Sequence, residues 1–193
     1  MANSKRPFAV AAAANATLFT GSGGLYGIVL RESTAVAAAA TVTVYDNTAA
    51  SGPILAVLRL AANGNHEASW AQGVKFGTGL TIAAAGGDIS GSLIVGSSGG
   101  LRAIPFVGVD ALLRNVSTQG NANVDSVLAA ETAGAVAEWA LYDALSITGN
   151  AFAGWSHAAN QTVKVNFEGG VGLSTGLQYD QVAGAVSGAV YIF

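Results

Sequence analysis

The sequence predicts an all-β protein built from two tandem β-sandwich modules, and three observations lead to this prediction. The stretch from Tyr45 to Gly96 is repeated without a gap from Tyr142 to Phe193. Several short segments carry apolar residues at alternate positions, as half-buried strands do. Turn residues recur at intervals of about 8–12 residues, which is typical of a sandwich or barrel. We expect each module to be jelly-roll-like or immunoglobulin-like.

The repeat sets the domain organisation. The two copies share residues at matching positions, including Tyr45 with Tyr142, Asp46 with Asp143, Asn63 with Asn160 and Gly79 with Gly176. Upstream, after a change of one residue in register, the matches are Pro7-Phe8 with Pro105-Phe106, Thr20 with Thr118, and Val29-Leu30 with Val127-Leu128. A repeat of roughly 97 residues is too long for a solenoid and suits a complete small domain. The predicted domains are 1–97, with an N-terminal arm, and 98–193, joined by a flexible Ser97–Gly100 linker.

The first module contains a regular series of predicted strands. A first strand lies within residues 7–20, and LYGIVL (25–30) follows a glycine-rich turn. TVTVY (41–45) alternates valine with polar residues, and ILAVLRL (54–60) returns after a turn. The Asn63-Gly64 pair suits a tight turn. Two short strands and SLIVG (92–96) then complete the module.

The second module contains a segment for which local propensity and the repeat disagree. Residues 127–145 have helical propensity, but Glu138–Asp143 aligns with Thr41–Asp46, which has a strand pattern. We therefore predict a strand here and leave open a short helix around Asp125–Gly134. TVTVY and SLIVG carry little charge, so we expect them to be central or covered, and AVYIF (189–193) to be docked into a sheet or interface.

Composition limits the possible functions. Apolar residues make up 51% of the chain and charged residues 10%, with no cysteine. Such a low charge favours burial against other subunits, so we expect a homo-oligomer. Residues 1–97 carry five basic and four acidic side chains, net +1, and residues 98–193 carry three basic and seven acidic ones, net −4. Neither half has the clustered basic face that nucleic acid requires, and no apolar run of about 18 residues predicts a membrane span.

The repeat serves as a control for polar residues that could carry chemistry. His66 aligns with Val163 and His157 with Leu60, and no nucleophile elbow is present, so we predict no enzyme, no cofactor and no metal site. Asp46 and Asp143 are the acids matched in the alignment, each at a strand end. We expect them to cap turns by accepting backbone N–H bonds.

The tryptophans are predicted to serve packing. Trp70 aligns with Phe167, Trp139 with Val42 and Trp155 with Leu58, which favours a core or interface role. Clustering of all three on an exposed face would instead indicate a glycan-binding platform.

The order of motifs resembles a group of small structural proteins of tailed bacteriophages. The resemblance is carried by AAAANATLFTGSGGLYGIVL, TVTVYDNTAASGPILAVLRL and GVKFGTGLTI, and it covers about residues 9–95. The second module matches only through its likeness to the first. The resemblance implies a β-sandwich component of the virion of the head-decoration, head-fibre or minor tail type, and it carries over no catalytic residues.

We therefore expect a non-enzymatic virion structural protein. The favoured role is a capsid decoration protein, made in the host cytoplasm and bound to the outside of the phage head, which it stabilises. Its partners would be the major capsid protein or other virion proteins, with Lys5 and Arg6 as candidate capsid contacts. The alternatives are a tail or neck component, and a glycan- or receptor-binding module.

Overall fold

The computed structural model describes residues 5–10, 15–34, 38–108, 110–147 and 151–193. Nearly all regular structure in these ranges is β, so the predicted fold class is confirmed. The chain forms two compact units, residues 1–103 and 104–193. The four sheets are each four-stranded and antiparallel, and they form two similar halves.

The described part of the first module forms eight strands. They are β1 (Arg6–Val10), β2 (Asn15–Thr20), β3 (Gly23–Glu32), β4 (Ala40–Asp46), β5 (Ile54–Leu60), β6 (Asn65–Phe76), β7 (Gly79–Ala85) and β8 (Ile89–Gly96).

The described part of the second module forms eight strands and one short helix. They are β9 (Arg102–Val107), β10 (Ala111–Asn115), α1 (Val116–Gln119), β11 (Asn123–Glu131), β12 (Ala137–Tyr142), β13 (Ala151–His157), β14 (Thr162–Gly172), β15 (Gly176–Ala183) and β16 (Val186–Ile192).

Both modules have the strand order of a jelly roll. The sheets of the first module are ordered β1-β8-β3-β6 and β2-β7-β4-β5. Strands β1 and β8, β2 and β7, β3 and β6, and β4 and β5 are therefore neighbours, as in one long hairpin rolled across two sheets. The second module repeats this order as β9-β16-β11-β14 and β10-β15-β12-β13. The jelly-roll form of the prediction is the one the structure adopts.

The apolar strands are central, as predicted. TVTVY lies in β4 between β7 and β5, and SLIVG lies in β8 between β1 and β3. The C-terminal strand β16 lies between β11 and β9, and Val190 and Tyr191 are wholly buried. A central position satisfies the backbone of these strands on both sides and removes the risk of edge pairing.

Residues 127–145 are not helical. Most of them belong to strands β11 and β12. The strand prediction for Glu138–Asp143 is confirmed over β12, and the helix considered around Asp125–Gly134 is wrong. β11 is bonded to β14 on one side and to β16 on the other. Pairing on both edges and burial on the core side outweigh a helix propensity of a few tenths of a kcal/mol per residue.

The upstream register of the repeat needs correction. Thr20 lies opposite Gly79, and Asn115 lies opposite Gly176, so Thr20 corresponds to Asn115 and not to Thr118. The cause is helix α1, four residues that the first module lacks.

The predicted match of Val29-Leu30 with Val127-Leu128 is also wrong, by one position. Leu30 lies opposite Gly91 and Ala129 lies opposite Gly188, the matching glycine. Leu30 therefore corresponds to Ala129.

The inserted helix is held by a buried arginine. Arg114 is 7% exposed, and its Nη2 donates to the carbonyl oxygens of Gln119 and Gly120 at 2.6 and 2.9 Å. By its pairing with Leu177, Arg114 occupies the position that Phe19, opposite Leu80, holds in the first module. The second module therefore has a guanidinium where the first module has an aromatic ring. The guanidinium supplies donors for the carbonyl groups at the end of the inserted helix.

The predicted linker is fixed to the first module. The backbone N–H groups of Gly100 and Leu101 donate to the carbonyl oxygen of Gly73 at 3.0 and 2.9 Å. Tyr26 Oη donates to the carbonyl oxygen of Ser98 at 2.8 Å. Residues 98–101 are therefore structured rather than a free tether.

Candidate functional site

The shared aspartates bond to a loop on the neighbouring strand pair. Asp46, at the end of β4, accepts bonds from the backbone N–H groups of Gly77 and Thr78, each at 2.8 Å, and from Gly79 at 3.4 Å. The predicted backbone capping is confirmed, but the capped turn connects β6 to β7 instead of following Asp46 in sequence.

Asp143 does the same in the second module. It accepts from the N–H groups of Ser174, Thr175 and Gly176 at 2.9, 2.8 and 3.1 Å, and from Ser174 Oγ at 2.6 Å. Partial burial alone would raise the pKa of Asp143. The hydrogen bonds outweigh it and lower this pKa to about 2.

A second pair of carboxylates was missed by the sequence comparison. Glu32, at the end of β3, is 4% exposed and accepts from the N–H groups of Thr34 and Asn63 at 2.6 and 2.8 Å. Bonds from the Thr34 side chain and from these backbone groups lower the pKa of Glu32.

Glu131, at the end of β11, is the counterpart of Glu32. It is wholly buried and accepts from the N–H groups of Ala133, Gly134 and Asn160 at 2.5, 2.9 and 2.7 Å. Burial would raise the pKa of Glu131, but the backbone donors lower it overall.

The signal for this pair was present in the sequence. Asn63 and Asn160 match in the repeat, and each has a positive φ, 56° and 58°. Placing a two-residue gap between β3 and β4 would align Glu32 with Glu131. The ungapped comparison hid this match.

Two of the three tryptophans are buried, which confirms their predicted packing role. Trp70 and Trp139 are 2% and 1% exposed, and Trp155 is half-buried. Trp139 and Trp155 lie with ring centroids 4.7 Å apart in the core of the second module. The three do not form the exposed row that a glycan platform would need.

His157 is bonded within this core. It is 1% exposed, and its Nε2 accepts a bond from Trp139 Nε1 at 2.6 Å. Burial lowers the pKa of His157, opposed by the nearby backbone of Gln161 and the Glu131 charge. A buried imidazole used as a hydrogen-bond acceptor suits packing better than proton transfer to a substrate.

The predicted contact residues Lys5 and Arg6 lie at one end of the first module. Lys5 Nζ is 4.3 Å from the ring centroid of Tyr26, a cation–π contact. Arg6 is exposed and lines an apolar groove with Phe8, Phe19, Val95, Gly96 and Ser97. Lys75 lines the adjoining depression with Ser97 and Ser98. We call Lys5, Arg6 and Lys75, with this groove, the basic end.

Two acids of the second module lie against each other. Asp110 precedes β10, whose Ala111 faces Tyr179 of β15, and this pairing brings Asp110 beside Asp180. Asp110 Oδ1 accepts from the N–H of Gln181 at 2.8 Å, and Tyr142 Oη lies 3.4 Å from Asp180 Oδ2. Partial burial and the neighbouring Asp110 raise the pKa of Asp180. A cation here would favour the charged form of Asp180.

The described residues offer neither a metal centre nor a spanning helix. Within them, no group of three or more His, Asp or Glu side chains could hold a metal ion. No helix in the same ranges is both long and apolar enough to cross a membrane.

No family model matches this chain, and neither the curated proteins nor the solved structures contain a significant match.

Proposed function

We propose that this chain is a non-enzymatic structural protein of a tailed-phage virion that decorates the outside of the head and stabilises it. The observation that supports this most is the role of the polar side chains that the two jelly rolls share. Asp46, Asp143, Glu32 and Glu131 all accept backbone N–H groups and brace loops. The duplicated residues maintain the fold, as expected of a protein whose task is to present surfaces.

The surface also suits assembly. Charged residues are sparse, and exposed side chains include Val107, Leu112, Val136 and Val182, each between 46% and 61% exposed. Jelly rolls are common in viral capsids, although they also occur in lectins. Repeated contacts of modest area, multiplied by capsid symmetry, would hold such a protein on a shell.

The test is to locate the protein on the particle. Purified chain is added to phage heads stripped of it, and the heads are imaged by electron cryomicroscopy. Density repeating over the capsid lattice is the expected result. Density restricted to the neck or tail would show that the protein is a component of that part of the virion and not of the head. Binding to a glycan array without binding to particles would refute the structural role.

A further inference from the structure

We propose that the basic end of the first module binds the Asp110–Asp180 face of the second module in another copy of this chain. This contact would supply the subunit association that the proposed structural role uses. It can be tested in solution without any particle.

The basic end has the form of a docking site. Phe8 and Phe19 meet edge to face with centroids 5.6 Å apart, and Phe19 meets Phe76 in the same way at 5.6 Å. Phe8 and Phe19 line the apolar groove beside the exposed Arg6, and Phe76 packs behind them. Among the described residues, Arg6 and Lys75 have no carboxylate within ion-pair distance. Asp46 is already bonded by the backbone N–H groups of residues 77–79.

The proposed partner face has the complementary chemistry. Asp110 and Asp180 place two carboxyl groups side by side at the β10–β15 edge. Leu112, on β10, is 46% exposed, and Val182, on β15, is 59% exposed. Each lies two residues from one of the acids. An aliphatic side chain beside a carboxylate matches an aromatic groove beside an arginine.

Charge balance favours a second copy over an unrelated acidic partner. The basic end carries three cations in a module with a net charge of +1, while the second module has a net charge of −4. Every copy therefore carries both halves of an attractive pair. Partial burial and the neighbouring Asp110 raise the pKa of Asp180. Arg6 brought beside the two carboxyl groups would offset their mutual repulsion, and complementary charges of this kind direct association.

The geometry of this contact is head to tail. Two different surfaces meet, so a pair of copies joined by one such contact retains one free surface of each kind, and further copies can add to form rings or open chains. A decorating layer could use such contacts between neighbouring copies.

The first experiment is sedimentation velocity on the full chain at pH 7, over a range of concentrations, at low and high salt. We expect the average mass to rise with concentration at low salt and to fall as salt screens the charges. Arg6→Glu and Asp180→Lys should each weaken self-association roughly tenfold or more. Lys75→Glu is a second variant of the basic end, should Arg6→Glu disturb β1.

Mixing the variants is the decisive step. Arg6→Glu retains a normal acidic face and Asp180→Lys retains a normal basic end, so an equimolar mixture should associate at concentrations at which each variant alone is mostly monomeric. Arg31→Glu and Glu168→Lys make the same charge changes at other exposed positions and should associate like the wild type. All variants are first shown to melt like the wild type.

Three results would overturn the proposal. They are a wild type that stays monomeric at every concentration, variants that associate normally, or a mixture that remains monomeric. None of these bears on particle binding, which is measured separately, so failure of this contact and failure of the decoration role are distinguishable.

Discussion

At the scale of single residues, the module is braced by carboxylates that stand at strand ends and accept backbone N–H groups from distant loops. Asp46 and Asp143 hold the loop before β7 or β15, and Glu32 and Glu131 hold the loop before β6 or β14. A carboxylate can accept several bonds at once, which makes it suited to a loop whose N–H groups lack strand partners. Each module thus uses two acids to fix the same two loops.

Replacing Asp143 with asparagine should destabilise the protein. The change removes the negative charge that receives the N–H groups of Ser174, Thr175 and Gly176, at a cost of about 1–3 kcal/mol at pH 7. Because the pKa of Asp143 is lowered to about 2, its contribution is complete above the ordinary carboxyl pKa of about 4. It is lost as the pH falls from about 4 to 2.

Urea unfolding of Asp143→Asn at several pH values checks this. The variant should differ from the wild type at pH 7 and approach it at pH 2. Glu138→Gln, at an exposed position on β12, is the control and should unfold like the wild type. An unchanged midpoint for Asp143→Asn would show that the loop is held by other contacts.

His157 should make the second module sensitive to mild acid. Protonation at Nε2 would remove the acceptor for the indole N–H of Trp139 and leave a charge in the core. Since burial lowers the pKa of His157, stability is complete above its ordinary pKa of about 6.5 and declines as the pH falls through and below this value. The Glu131 charge reduces this effect without reversing it.

His157→Leu introduces the residue found at the equivalent Leu60. At pH 8 the variant should lose about 1–3 kcal/mol, because the indole N–H of Trp139 is left without its acceptor. Between pH 6.5 and 4.5 its stability should vary less than that of the wild type. The measurement is denaturant unfolding followed by tryptophan fluorescence, with His66→Val as the control that retains the Trp139 bond. Equal pH slopes for His157→Leu and the wild type would contradict the role of this histidine.

At the scale of elements, the repeat could predict what local propensity could not. The strand at β12 follows from its match with TVTVY, because two copies of one fold must place equivalent residues in equivalent elements. Helix α1 and the Glu32–Glu131 pair could not be predicted in this way. Both lie next to length changes between the modules, where an ungapped comparison loses register, and Arg114 has no polar counterpart to reveal its role.

Removing Ala189–Phe193 should unfold the second module. The deletion takes the C-terminal half of β16, including the buried Val190, Tyr191 and Ile192, and leaves both neighbouring strands with unpaired backbone groups. The free energy lost with three buried side chains exceeds the free energy of unfolding of a typical small domain. Circular dichroism and tryptophan fluorescence of the truncated chain should show a lost transition.

Deletion of Phe193 alone, which is 47% exposed, is the control and should have a small effect. A melting curve of the longer truncation that matched the wild type would rule the prediction out.

At the scale of the whole molecule, the fold follows from sequence pattern far more than the binding surfaces do. Strand periodicity and the long repeat specify two β modules because burial on one face imposes a period of two on every strand. The basic end depends on three cations that are separated in the chain and brought together by β1, β6 and the end of β8. The Asp110–Asp180 pair likewise depends on the register between β10 and β15. Such tertiary juxtapositions have no local sequence signal.

Low charge should also limit solubility in a pH-dependent way. The net charge is −3 at pH 7 and the isoelectric point is about 5.2, so near pH 5 the molecule has little net charge to oppose association through its exposed apolar side chains. Light scattering at fixed protein concentration should be greatest near pH 5, and should fall both toward pH 8 and toward pH 4. A fall in scattering on the acidic side separates this effect from acid unfolding, which would increase scattering steadily as the pH falls.

Arg31→Glu, which makes the chain more acidic at an exposed position, should move the scattering maximum to lower pH. A maximum that stays fixed in this variant would show that net charge does not set the pH of greatest scattering.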